Sequence, residues 1–236
     1  MRLTKPFSQD ELAFALGVMG AVQFDEKGFQ LKIHREHPEW NLEPSPYYVN
    51  LRLQENKGPL VEWQVKMLGQ HMALHYHQEM LGCPGSFQII GIPATGIPLA
   101  EGFCEAWPNP NQINLLKMSK EGEGKGQIAS KIEGEVNESP ILLLDDVITK
   151  GGSKFDTLKA MGLHRPLVKK ILVLVDREQG GKEEMAQQGI KLHSAITFSR
   201  ILEASRTSGM IDEEMYQHCV DYPAALDAAI KTKQGA

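Results

Sequence analysis

The sequence predicts an α/β protein whose central parallel sheet is covered by helices on both faces. Two observations carry this. Aliphatic runs recur at 87–92 (FQIIGI), 141–146 (ILLLDD), 169–178 (KKILVLVDRE) and 191–197 (KLHSAIT). They are nearly continuous rather than alternating, as strands buried on both faces are. Between them lie segments of helical composition: IPLAEGFCEA (97–106), SKFDTLKAMG (153–162) and KEEMAQQG (182–189). Strand–helix alternation of this kind implies parallel crossovers.

The remaining elements follow in chain order. Ser8 and Glu11 form a capping box ahead of ELAFALGVMGAV, which predicts a helix over 9–21. Residues 24–32 read as a short strand interrupted by Gly28, and the polar, proline-bearing stretch 33–44 as a loop. YYVNLR (47–52) is rich in β-formers and predicts a strand. Residues 59–81 have helical length, with Gly69 as the only internal breaker. INLL (113–116) predicts a short strand, followed by a charged, glycine-rich loop at 121–127. Residues 198–236 read as helical. The whole chain, 1–236, is expected to be one domain: an N-terminal helix and hood over 1–58, a core over 59–205 and a C-terminal helical segment over 206–236.

Bulk properties exclude several classes. The 236 residues are 42% hydrophobic and 23% charged, enough for a sizeable core. A net charge of −5 does not favour nucleic acid as a partner. No apolar run approaches the ~20 residues that span a bilayer, so no membrane partner is expected. The three cysteines, Cys83, Cys104 and Cys219, are scattered, which reads as a reduced, cytoplasmic protein without a zinc site. His71 and His75 stand four apart, but Met72 occupies the glutamate position of a zinc-helix motif, so packing is the expected role of these histidines.

In parallel sheets ligands bind beyond the carboxyl ends of the strands. Three such ends carry unusual chemistry here: PATG (93–96), DDVITKGGS (145–153) and DREQGG (176–181). The second is the richest. Asp145 and Asp146 stand where a buried strand emerges, and strand alternation sends their carboxylates to opposite faces. Burying either costs free energy unless it is hydrogen-bonded. The turn behind them, Thr149, Lys150, Gly151, Gly152 and Ser153, can wrap an anion with consecutive backbone N–H groups at a helix start. Carboxylates accept from hydroxyls and the turn donates to phosphate, so a sugar phosphate satisfies both. Neither a Walker loop nor a G-x-G-x-x-G turn is present.

Residues 141–153 resemble the phosphoribosyl-diphosphate (PRPP) motif of the type I phosphoribosyltransferases. By that resemblance the fold is a type I phosphoribosyltransferase core with a small N-terminal hood. Asp145 and Asp146 then lie by the ribose hydroxyls, one as a general base, and Val147, Ile148, Thr149, Lys150, Gly151, Gly152 and Ser153 hold the 5′-phosphate. On this reading neither aspartate needs an ion-pair partner from the protein.

From about residue 8 to about 205 the chain is most similar to orotate phosphoribosyltransferase. FQLK (29–32) resembles a segment whose lysine, here Lys32, reaches both orotate and PRPP. SPYYVNLR (45–52) resembles a stretch that places Tyr47 and Tyr48 by orotate. GIPATGIPLA (91–100) resembles the diphosphate loop, with Thr95 and Gly96 at the PRPP; Thr95 stands where some members carry a lysine. LVDREQGG (174–181) is the most diagnostic piece, and its Arg177 matches a residue that grips the pyrimidine's carboxylate side, with Thr149 also touching orotate. A planar guanidinium suits that anion. ITFSRIL (196–202) resembles the closing segment of the family.

The family's lid motif is thinned here. Lys117 and Lys120 keep their spacing, and Lys120 is the expected catalytic lysine, with Lys117 on PRPP. Leu116 occupies the arginine position, and Lys125 or Lys131 could substitute; the glycines at 122, 124 and 126 would let such a lid move. Loop 33–44 is longer than usual for the family. The resemblance implies transfer of ribose 5-phosphate to orotate, with Mg²⁺ held mainly by substrate and no dedicated protein metal site, in a homodimer. The alternatives are a phosphoribosyltransferase for another base, a PRPP-binding regulator or a catalytically weakened homologue.

Overall fold

The computed structural model describes residues 2–79, 85–121 and 128–234, with backbone only at 120, 121, 128–131 and 153. The chain forms two compact units. One joins Met1–Ser8 to Leu51–Phe198; the other joins Gln9–Asn50 to Ser199–Ala236.

The first unit is built on a six-stranded sheet. Its strands are β3 (Phe87–Gly91), β4 (Ile113–Glu121), β5 (Ile128–Glu133), β6 (Ile141–Ile148), β7 (Val168–Asp176) and β8 (Lys191–Thr197). Their spatial order is β5-β4-β3-β6-β7-β8. All pairs are parallel except β4–β5. Its helices include α3 (Glu62–Glu79), α4 (Gly96–Ala106), α5 (Gly152–Ala160) and α6 (Gly181–Gln187). Ile90, Leu143, Ile171 and Val173 are fully buried in the sheet's core, which explains why these strands read as continuous aliphatic runs. The β6–β7 register runs to Ile148 opposite Asp176, so these two strands end level with each other.

Gly69, which breaks the helical pattern of α3, has a packing reason. A Cβ there would lie 2.1 Å from the Leu99 carbonyl oxygen, so the α3 and α4 backbones meet without a side chain between them. His71 on α3 is fully buried and accepts a 3.0 Å hydrogen bond at Nδ1 from the Phe7 N–H. Burial, and then the charge of His75, pushes its pKa down to about 3. It is a neutral core histidine.

The second unit holds α1 (Gln9–Val18), β1 (Val22–Phe29), α2 (Lys32–Glu36), β2 (Ser45–Val49) and α8 (Glu213–Gln234); α7 (Phe198–Thr207) leads into it. Strands β1 and β2 pair antiparallel. Both halves of this unit interlock. Arg200 bonds Asp10 at 2.5 Å, His218 meets Glu43 at 3.0 Å, and the Tyr222 hydroxyl donates to the Glu43 carbonyl at 3.2 Å.

Several sequence expectations are corrected. The stretch 33–44 is not a plain loop: α2 and a 3₁₀ turn at Pro38–Trp40 run through it. His34 organises it, accepting from the Leu31 N–H at 2.8 Å and pairing through Nε2 with the Glu43 carbonyl at 2.9 Å. A composition reading sees only polarity there. Lys32 opens α2 rather than closing a strand. The first helix stops at Val18, short of 21, because Gly20 turns left-handed (φ 69°) and Ala21 donates to the Leu16 carbonyl, a Schellman end. The strand at 113–116 extends to Glu121 because β5 pairs with it, with Lys117 opposite Glu133. The glycines at 122, 124 and 126 and Lys125 lie outside the described residues.

Candidate active site

The carboxyl ends of β3 and β6 open into one cleft of about 540 Å³. Pro93, Ala94 and Thr95 line it from the β3 end; Asp145, Asp146, Val147, Thr149, Gly151 and Gly152 line it from the β6 end. The two sequence segments singled out for diphosphate and ribose phosphate thus share one space. Both aspartates reach it although strand alternation separates them, because the cleft lies across the strand's end rather than on one face.

The turn after β6 is an anion cradle by construction. Gly151 has φ 75°, the left-handed region, and begins α5 immediately afterwards. A Cβ on it would come within 2.8 Å of the Met185 methyl, so glycine is needed for space as well as for conformation. The start of a nine-residue helix places a positive dipole end here. Asp145 Oδ1 accepts from the Asp146 N–H at 2.9 Å, and Asp146 Oδ1 accepts from the Val147 N–H at 2.7 Å.

The expectation that neither aspartate has an ion-pair partner is corrected. Asp145 Oδ2 lies 2.6 Å from Lys154 Nζ, and both side chains are more than nine-tenths buried. The same ammonium donates to the Val147 carbonyl. The sequence motif ends at Ser153, so its reading stops one residue before this lysine. The Asp146 carboxyl has a raised pKa. Burial is the main cause and the Asp145 charge the second; Lys154 opposes them.

The neighbouring strand end carries Arg177. Its N–H donates to the Ile148 carbonyl at 3.0 Å, so the turns after β6 and β7 are tied backbone to backbone. Gly181 allows the close approach, since a Cβ there would meet the Thr149 carbonyl oxygen at 2.5 Å. Asp176 stabilises this second turn by accepting from the Glu178 N–H at 2.8 Å. Burial is the first cause of its raised pKa.

The other expected residues are distributed as follows. Gly96 is buried at the start of α4, Ile148 is buried, and Lys150 is exposed beside the cradle. Lys117 is exposed on β4. The side chains of Lys120, Lys131 and Ser153 are outside the description. Lys32, Tyr47 and Tyr48 belong to the other unit. There Lys32 is exposed and pairs with Glu36 at 3.4 Å. Tyr47 is buried against Tyr222, and Tyr48 stacks on Phe29. Two cations of the cleft, Arg52 and Lys154, and the polar Asn56 were not singled out in the sequence. Arg52 closes the stretch SPYYVNLR, and Lys154 is a cation in the first turn of a helix, where the dipole disfavours it. That mismatch was the available signal.

Strand order, an acid-ended β6 and an anion cradle at the start of α5 define a phosphoribosyltransferase of the type I fold. No family model matches the chain. It is 30% identical over 179 residues to an orotate phosphoribosyltransferase of Sulfurisphaera tokodaii, covering 75% of this chain and 84% of that one. It is 36% identical over 115 residues to the bovine (Bos taurus) uridine 5′-monophosphate synthase, a match covering 48% of this chain and 23% of the longer protein. The crystal structure of orotate phosphoribosyltransferase from Aeropyrum pernix superposes with a TM-score of 0.59 at 26% identity, over 85% of this chain and 99% of that one. The chain belongs to the orotate phosphoribosyltransferase family.

Proposed function

We propose that the chain transfers ribose 5-phosphate from PRPP to orotate, giving orotidine 5′-monophosphate and diphosphate, a step of pyrimidine nucleotide synthesis. The observation that carries this is the single cleft in which a carboxylate pair, a helix-start anion cradle and the 93–96 turn converge. The cradle's N–H groups take the 5′-phosphate, and Asp146 and Asp145 face the ribose. Thr95 and Arg52 border the diphosphate. Arg177 and Thr149, in the turns after β7 and β6 that the Arg177–Ile148 bond ties together, serve the orotate side.

Breaking the bond at the anomeric carbon puts positive character on the ribose and negative charge on the departing diphosphate. The carboxylates stabilise the first; cations stabilise the second. Lys120 is the lysine that the family resemblance assigns to the leaving group. On the family resemblance, magnesium enters as an ion held mainly by substrate oxygens. When bound it supplies Lewis-acid stabilisation to diphosphate. We place the protein in the cytoplasm on its scattered cysteines, and as a homodimer on the family resemblance.

A steady-state assay with PRPP and Mg²⁺ against orotate, uracil and purine bases tests the reading. Turnover of orotate alone is the expected result. Turnover of another base instead would reassign the substrate. PRPP binding by calorimetry without any turnover would make the chain a PRPP-binding regulator.

A further inference from the structure

Lys154 is an unusual residue for its place. It lies in the first turn of α5, where a helix's positive dipole end disfavours a cation, and it is 4% exposed. A buried ammonium needs an anion and further acceptors to be tolerated. It has both, in Asp145 Oδ2 at 2.6 Å and the Val147 carbonyl. The two acceptors flank Asp146 in sequence, so the lysine clamps the end of β6 around that residue. The clamp leaves the two carboxylates unequal. Asp145 has Oδ1 on the Asp146 N–H and Oδ2 on Lys154. Asp146 has its Oδ1 on the Val147 N–H and borders the same cleft.

We propose that Lys154 is a positioning residue: it holds Asp145 in an internal ion pair and so reserves Asp146 as the carboxylate that meets the sugar hydroxyls. This rests on the phosphoribosyl-transfer reading only for the identity of the sugar. The pair divides the labour of the acid motif. Asp145 keeps the strand end charged and rigid; Asp146 takes the ligand and any proton that a hydroxyl gives up. The charged groups that share the cleft with Asp146 are Asp145 on its own strand, Lys154 on α5 and Arg52. Of these, Asp145 and Lys154 act on Asp146 most strongly, in opposite directions.

The test combines ¹³C-carboxyl NMR titration of aspartates in the full chain with the pH profile of kcat/KM for PRPP. Lys154→Met removes the cation and keeps the volume. The Asp146 midpoint should rise by about one pH unit, the acidic limb of the profile should follow it, and Lys154→Arg should return both toward wild type. An unchanged midpoint and limb in the folded Lys154→Met protein would overturn the inference. That variant leaves Asp145 buried without its cation. If it fails to fold, the double variant Lys154→Met, Asp145→Asn removes the stranded Asp145 charge as well. Its Asp146 midpoint should lie below wild type, and a midpoint at or above wild type overturns the inference. Orotate and PRPP turnover by the wild type is measured alongside. If turnover is absent but the shifts occur, the function reading fails and the clamp stands; turnover without shifts does the reverse.

Discussion

The turns after β6 and β7 are two versions of one design. Each follows a buried parallel strand, carries an aspartate at or near the strand's end, passes through a left-handed glycine and starts a helix. They end level and are joined by the bond from Arg177 to Ile148. The difference lies in how each keeps its buried acid. Asp145 is held by an internal lysine, whereas Asp176 is held by the N–H of its own turn. The first solution keeps full charges beside a cleft and suits a charged, hydroxylated ligand. The second uses the acid to shape the loop that carries Arg177.

Removing the charge of the first turn should have the largest effect. Asp146→Asn should lower turnover by roughly 10²–10⁴-fold with the fold intact by circular dichroism. Retention within tenfold would remove the first turn from the chemistry. The second turn is tested by Arg177→Ala, which should raise the KM for orotate by about 10- to 100-fold, the loss of a charge-assisted contact. PRPP affinity should hold. An equal loss of PRPP affinity would collapse the distinction between the turns.

The two glycines offer a finer contrast. Gly151 and Gly180 both have positive φ, at 75° and 94°. A Cβ at Gly180 meets nothing within 4 Å, while one at Gly151 meets Met185 and Phe155. Both alanine variants should lose about 1–2 kcal/mol in denaturant titrations from backbone strain, with Gly151→Ala losing more. Equal losses would mean that Met185 and Phe155 move aside freely.

Asp176→Asn should have the smallest effect, one visible only against pH. The folded protein binds a proton at Asp176 more tightly than the unfolded chain does. Wild-type stability should therefore fall as pH rises from the ordinary value of 3.8 through the raised folded value. The variant should lack that fall in urea titrations at a series of pH values. An identical pH slope would assign the effect to another group.

The legibility of the molecule follows the same contrast. Asp145, Asp146 and the Thr149–Gly152 turn are contiguous, so a reader of the sequence meets the whole half-site at once. Arg52 and Asn56 reach the cleft from a turn far away in the chain, and only folding brings them there. Lys154 sits one residue beyond the motif, in a helix whose composition looks ordinary. The sheet was readable because burial on both faces forces aliphatic runs. The β4–β5 hairpin was not, because its polar residues pair by register rather than by hydrophobicity.

The composition of the second unit has a consequence for the order of synthesis. Its first half, Gln9–Asn50, is made early, but the helices that Asp10, Glu43 and Tyr47 lean on begin only at Phe198 and Glu213. At ribosomal speeds of about 5–20 residues per second, that leaves the early half without its counterpart for on the order of ten seconds. The sheet, encoded in between, can be complete before the piece that precedes it in the chain has anything to close against.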